Sequence, residues 1–139
     1  MIRNNLQSIS RLKNQLEQKE WENNDLLKGM ALGIIDAIDS LERAEEVLKE
    51  SEQDKNSEVA KITKRYQSVQ TKLLNLLQKY GITKVEFPDN NLITGLCEVV
   101  KTEIDASKKN DEIVSIIRNG YKRGNELIRS AQIIVVKNE

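Results

Sequence analysis

The stretch GYKRGNELIRSAQIIVVKNE, residues 120–139, decides how the chain is built at its C-terminal end. Glycine and asparagine tolerate positive φ, so Asn119-Gly120 and Gly124-Asn125 read as turn dipeptides. The apolar, partly β-branched run Ile133-Ile134-Val135-Val136 beside them reads as strand. A closing hairpin is expected. Short apolar runs precede it at Ile82 to Phe87, Leu96 to Lys101 and Ile113 to Arg118, broken by turn formers that include the only proline, Pro88. Residues 82–139 therefore predict a small all-β domain, near the lower size limit for independent folding.

Everything before Gly81 follows another period. Leu6, Lys13, Glu20, Leu27, Ile34, Leu41 and Leu48 recur every seven residues, and Ile9, Leu16, Asn23, Met30, Ala37 and Ala44 occupy the second seam position. All but Lys13, Glu20 and Asn23 are apolar, which is the coiled-coil pattern and predicts one helix over residues 2–50. The three polar exceptions make the middle of the seam its loosest part. SEQDKNS, residues 51–57, lacks any apolar side chain and ends in the candidate N-caps Asn56 and Ser57, so a helix-helix turn is expected there. A second helix carries Val59, Ile62, Tyr66, Val69, Leu73, Leu76 and Tyr80 at alternating spacings of three and four, with Gly81 as its stop.

An antiparallel hairpin whose first arm is twice its second leaves an apolar stripe uncovered. A second copy of the chain would cover it in a four-helix bundle, with the N-terminal arms paired as a coil. Leu27, Met30, Ile34, Leu41, Leu48, Val69, Leu73 and Leu76 are the expected dimerisation residues. The fold class is α+β, with a dimeric helical part over residues 1–81 and the β domain over 82–139.

Composition narrows the functions open to this design. Charged residues make up 32% of the 139 and aromatics 4%, which suits an elongated molecule with much solvated surface. Lys plus Arg and Asp plus Glu balance at 22 each, leaving no net field to attract nucleic acid or an anionic membrane. No apolar run approaches the roughly 20 residues of a membrane span, and the N-terminus lacks a signal-peptide core. The lone Cys97 fits a reducing compartment and a core position on a strand. A cytoplasmic protein is expected.

The chemistry of catalysis is not visible. There is no His, hence no Ser-His or Cys-His nucleophile pair and no imidazole metal ligand, and one Cys makes no zinc site. Carboxylates such as Asp36, Asp39, Glu45 and Glu46 read as a solvated helix face. No phosphate-binding glycine loop occurs. No catalytic, cofactor or metal residue is expected, and the protein reads as a non-enzyme.

Residues 120–137 resemble the closing strands of the GrpE family, in which a Gly-Tyr, a turn with Asn and Gly, a Leu/Ile-Arg step and a Val-rich strand ending in Lys occur in that order. LGIIDAIDSLERAEEVL, residues 32–48, is similar to the family's helical segment, and LLNLLQKYGITKVE, residues 73–86, to its helix-to-β junction. The resemblance implies a homodimeric nucleotide exchange factor whose β domain binds the ATPase domain of a DnaK-type heat-shock chaperone and promotes ADP release, without a cofactor. It implies chaperone contacts at Arg43, Leu92, Val135 and the Arg123 to Glu126 hairpin tip. For Arg43 the competing role is an i,i+4 pair with Asp39 worth about 0.3 to 0.5 kcal/mol; for Leu92 and Val135 it is core packing. Where the family carries an Asp-Pro followed by His, this chain has Ile93-Thr94 and Cys97, and Glu126 stands where a basic residue is common. These departures motivate the alternative of a structural coiled-coil adaptor that kept the scaffold and lost chaperone binding.

Overall fold

The structure is a computed structural model and describes residues 2–51 and 57–139. The chain runs α1 (Ile2–Ser51), α2 (Ser57–Lys79), β1 (Ile82–Lys84), β2 (Cys97–Glu103), β3 (Ile113–Arg118), β4 (Tyr121–Arg123), β5 (Glu126–Arg129) and β6 (Ala131–Val136). The fold is α+β, and the long first helix, the second helix and the C-terminal strands are those expected. The turn read at residues 51–57, with its cap Asn56, falls largely outside the described residues.

The helices pack antiparallel. Gln67 Nε2 donates to Glu45 Oε1 at 2.9 Å and Gln70 Nε2 to Glu42 Oε1 at 3.1 Å, while Leu73, Leu74 and Leu77 meet the Ala31 to Ile38 stretch farther back along α1. α2 ends as its sequence requires: Tyr80 N and Gly81 N close the last turn onto Leu77 O and Gln78 O, and Gly81 takes φ +79°.

The described strands form two three-stranded sheets. The first has order β1-β4-β5 and is antiparallel throughout. The second has order β2-β6-β3, with central β6 parallel to β2 and antiparallel to β3. Gly124-Asn125 is the two-residue hairpin turn expected, joining Arg123 to its partner Glu126 with Gly124 at φ +57°. Asn119-Gly120 does not turn a hairpin. It carries the chain from β3 in one sheet to β4 in the other, and Gly120 is needed there for space: a Cβ would lie 2.6 Å from the Ala131 nitrogen. Ile133 to Val136 likewise leaves the hairpin to become the centre of the second sheet.

Two apolar clusters result. Ala31, Ile35 and Ile38 of α1 join Leu77, Ile82, Tyr121 and Ile128, so the first sheet shares its core with both helices. The boundary drawn at residue 81 from the sequence thus runs through a common core. Ile113, Ala131, Ile133 and Val135 form the second cluster, with Phe87, Leu92 and Cys97 packed on it and no helical residue in it.

Candidate functional site

One face of α1 looks toward the second sheet across a cleft of about 510 Å³. Asp36, Asp39, Glu42, Arg43 and Glu46 line one wall and Ile117, Arg118 and Gln132 the other. Spacings of three and four bring the helical residues onto one side. Arg43 is exposed and donates to Ser40 Oγ at 3.4 Å, a long and weak bond. Ser40 Oγ in turn donates to the Asp36 carbonyl at 3.2 Å. The pair with Asp39 weighed for Arg43 is absent, because the Asp39 carboxylate is held elsewhere.

It is held by Arg129. The guanidinium donates from Nη1 and Nη2 to the two Asp39 oxygens at 2.7 and 3.1 Å, and from Nε and Nη2 to the Asn119 carbonyl at 3.0 and 2.7 Å. Such a bidentate fork is the strong form of this interaction, and the Arg129 side chain is only 8% exposed. Arg118 Nε stands 3.8 Å from Asp39 Oδ2. One turn along α1, Glu42 accepts from Gln70 and, at 3.4 Å each, from Lys84 Nζ and Asn119 Nδ2. Beneath them lies Tyr121, fully buried. Burial, aided by the negative charges of Glu42 and Asp39, pushes its phenol up to about 12.

The hairpin tip is the other exposed element. Gly124, Asn125 and Glu126 are exposed, while Arg123 is half-buried and donates from Nη1 to Asn24 Oδ1 of α1 at 3.3 Å. The tip is thus steadied against the long helix. Leu92 and Val135 both pack on the second apolar cluster, the competing placement weighed for them. Val135, 2% exposed, sits in the second cluster, because β6 is the central strand and its Ala131, Ile133, Val135 face is covered. Leu92 is half-buried against the same cluster. Val135 thus belongs to the core, while Leu92 packs on it and keeps part of its side chain at the surface. Sequence reasoning missed what the outer strands expose: Val99 and Val100 on β2, and Ile116 and Ile117 on β3. A bulge at Val100 and another at Ile117 break the two-residue alternation and turn apolar side chains outward.

Six of the expected dimerisation residues line two apolar grooves on the helical hairpin. Leu27, Met30, Ile34 and Leu76 line an apolar groove of about 300 Å³ with Ala31, Leu77, Tyr80 and Ile82. Leu41 and Val69 line a second of about 310 Å³ with Ile62, Arg65 and Tyr66. Met30 is 61% exposed; Leu48 is half-buried, and Leu73 packs partly on the first cluster. Among the described residues no helix is long and apolar enough to cross a membrane.

A long helix, a shorter helix folded back on it and two small sheets clasped to the hairpin define a helical scaffold that presents a β unit. The family model described as GrpE matches residues 2–137, and the chain belongs to the GrpE family. Among curated relatives, the chain is 33% identical over 108 residues to Protein GrpE of Wolbachia sp. subsp. Drosophila simulans, covering 78% of this chain and 53% of that one. It is 30% identical over 125 residues to Protein GrpE of Synechococcus sp., covering 90% and 51%. To Protein GrpE of Brachyspira hyodysenteriae it is 28% identical over 114 residues, covering 79% and 54%. The chain spans about half the length of the curated relatives it matches.

Proposed function

We propose that the protein is a cytoplasmic nucleotide exchange factor: a homodimer that binds the ATPase domain of a DnaK-type heat-shock chaperone and promotes ADP release. Membership of the GrpE family across residues 2–137 carries the reading. The geometry around Arg43 supports it, since Arg129 occupies Asp39 and the Arg43 guanidinium is presented at the cleft with only a weak bond to Ser40. The exposed hairpin tip and the apolar side chains Val99, Val100, Ile116 and Ile117 offer a second contact area on the sheets.

No covalent step is required. A protein that binds the open, nucleotide-free chaperone more tightly than the ADP-bound one weakens ADP by the same factor, and each tenfold needs about 1.4 kcal/mol of differential affinity. The apolar side of the hairpin, where Met30, Val69 and Leu76 stay exposed in one chain, supports the dimer.

The test is the affinity of this protein for a DnaK-type ATPase domain with and without saturating ADP. Tighter binding to the nucleotide-free domain supports exchange, and equal affinity in both states overturns it. Absence of binding favours the adaptor, for which the acidic Glu126 at the exposed tip is the motivating observation.

A further inference from the structure

The two sheets are fastened to the helices by different means. The first shares an apolar cluster with α1 and α2, whereas the apolar cluster of the second holds no helical residue, and across the cleft beside Arg43 its Arg118 meets α1 as an ion pair with Asp39 at 3.8 Å. Both sheet-to-sheet crossings of the closing segment, Arg118 to Tyr121 and Arg129 to Ala131, run through one point. Gly120 lies so close to the second crossing that a Cβ would meet Ala131 N at 2.6 Å and Arg129 O at 3.0 Å, and Val85 N donates to Gly120 O at 2.9 Å. Two acidic residues of α1 grip this point. Asp39 takes the Arg129 fork, whose other side holds the Asn119 carbonyl, and Glu42 takes the Asn119 side chain and Lys84.

We propose that Asp39 and Glu42 are positioning residues: they clamp the inter-sheet crossing onto α1 and so fix the orientation of the second sheet relative to Arg43. The physical reason lies in the kind of contact. Apolar packing is non-directional, whereas a bidentate fork shared with a backbone carbonyl constrains angle as well as distance. With the brace in place, Arg43 and the exposed side chains of β2 and β3 meet a partner as one rigid surface; without it the partner must order the sheet on binding. That consequence rests on the chaperone-binding reading, but the clamp itself does not.

The test uses the full chain with spin labels at Glu50→Cys on α1 and Lys101→Cys on β2 in a Cys97→Ser background, diluted with unlabelled chain so that distances within one chain dominate. The parent should give a narrow distance distribution. Arg129→Lys, which keeps the charge but cannot fork, and Glu42→Gln should each broaden it while the circular dichroism of the sheets is retained. Distributions as narrow as the parent's in both variants would overturn the clamp. In chaperone binding, Arg129→Lys should cost on the order of tenfold, and Arg43→Ala should cost less on the Arg129→Lys background than alone. Strictly additive losses would overturn the positioning role. The distance measurement needs no chaperone, so it decides the clamp even if the parent protein proves not to bind one.

Discussion

The Arg129 guanidinium lies 5.5 Å from the centroid of the Tyr121 ring, so the cation that engages Asp39 also roofs the largest side chain of the helix-sheet core. The stack is of cation-π type, and it leaves the phenol hydroxyl buried with no hydrogen-bond partner among the described residues.

Tyr121→Phe removes that unpaired hydroxyl and keeps the ring. It should leave thermal stability unchanged or raise it by about 1 kcal/mol, because a buried polar group without a partner costs desolvation. The pH dependence gives a second reading. The folded-state phenol titrates near 12 against 10 for the free group, so between these values the unfolded chain has lost the proton and the folded one has kept it. Stability is therefore complete below pH 10 and declines as pH rises toward 12. Melting curves at pH 8 and pH 11 should show this decline in the parent and a smaller one in Tyr121→Phe.

Leu92→Ser tests where that side chain works. Half-buried against Ile113, Ile133 and Val135, it should lower the stability of the β region by about 2 kcal/mol, visible in denaturant unfolding followed by circular dichroism. A variant as stable as the parent with weakened chaperone binding would instead place Leu92 at the interface.

Arg43→Ala should leave helicity, stability and dimerisation nearly unchanged, since the side chain is exposed and its one bond is weak. Chaperone affinity should fall by about 1 to 3 kcal/mol, as for an interface arginine. Titration calorimetry against the ATPase domain measures the loss, and an unaltered affinity would return Arg43 to the solvated helix face.

Leu41→Asp places a charge in the groove formed with Ile62, Tyr66 and Val69. If a second chain covers that groove, the charge is buried without a partner and the dimer should dissociate. Sedimentation at micromolar concentration should show dimer for the parent and monomer for the variant. A monomeric parent would contradict the dimer outright.

Much of this fold is written in local pattern. Both helices, the stop at Gly81 and the Gly124-Asn125 turn follow from periodicity and from the φ that glycine allows. The choice of helix face does not. Between Ala31 and Ile38, α1 is apolar on more than one side, so its heptads mark Ile34 as a seam residue but cannot show that Ala31, Ile35 and Ile38 turn inward onto the chain's own sheet. Asn119-Gly120 looks like Gly124-Asn125 in sequence, yet one is a close approach and the other a hairpin. The parallel pairing of β6 with β2 and the Asp39–Arg129 fork join residues far apart in the chain, for which no short stretch carries a signal. Of the site, Arg43 was legible as a helix position, while its freedom from Asp39 depends on Arg129 and so on the tertiary fold.

The most direct measurement is the release of labelled ADP from a DnaK-type chaperone after mixing with excess unlabelled nucleotide, followed with and without this protein. For an exchange factor, release should be faster, saturate with protein concentration and be blunted by Arg43→Ala. A release rate that the parent protein leaves unchanged at saturating concentration would contradict that role.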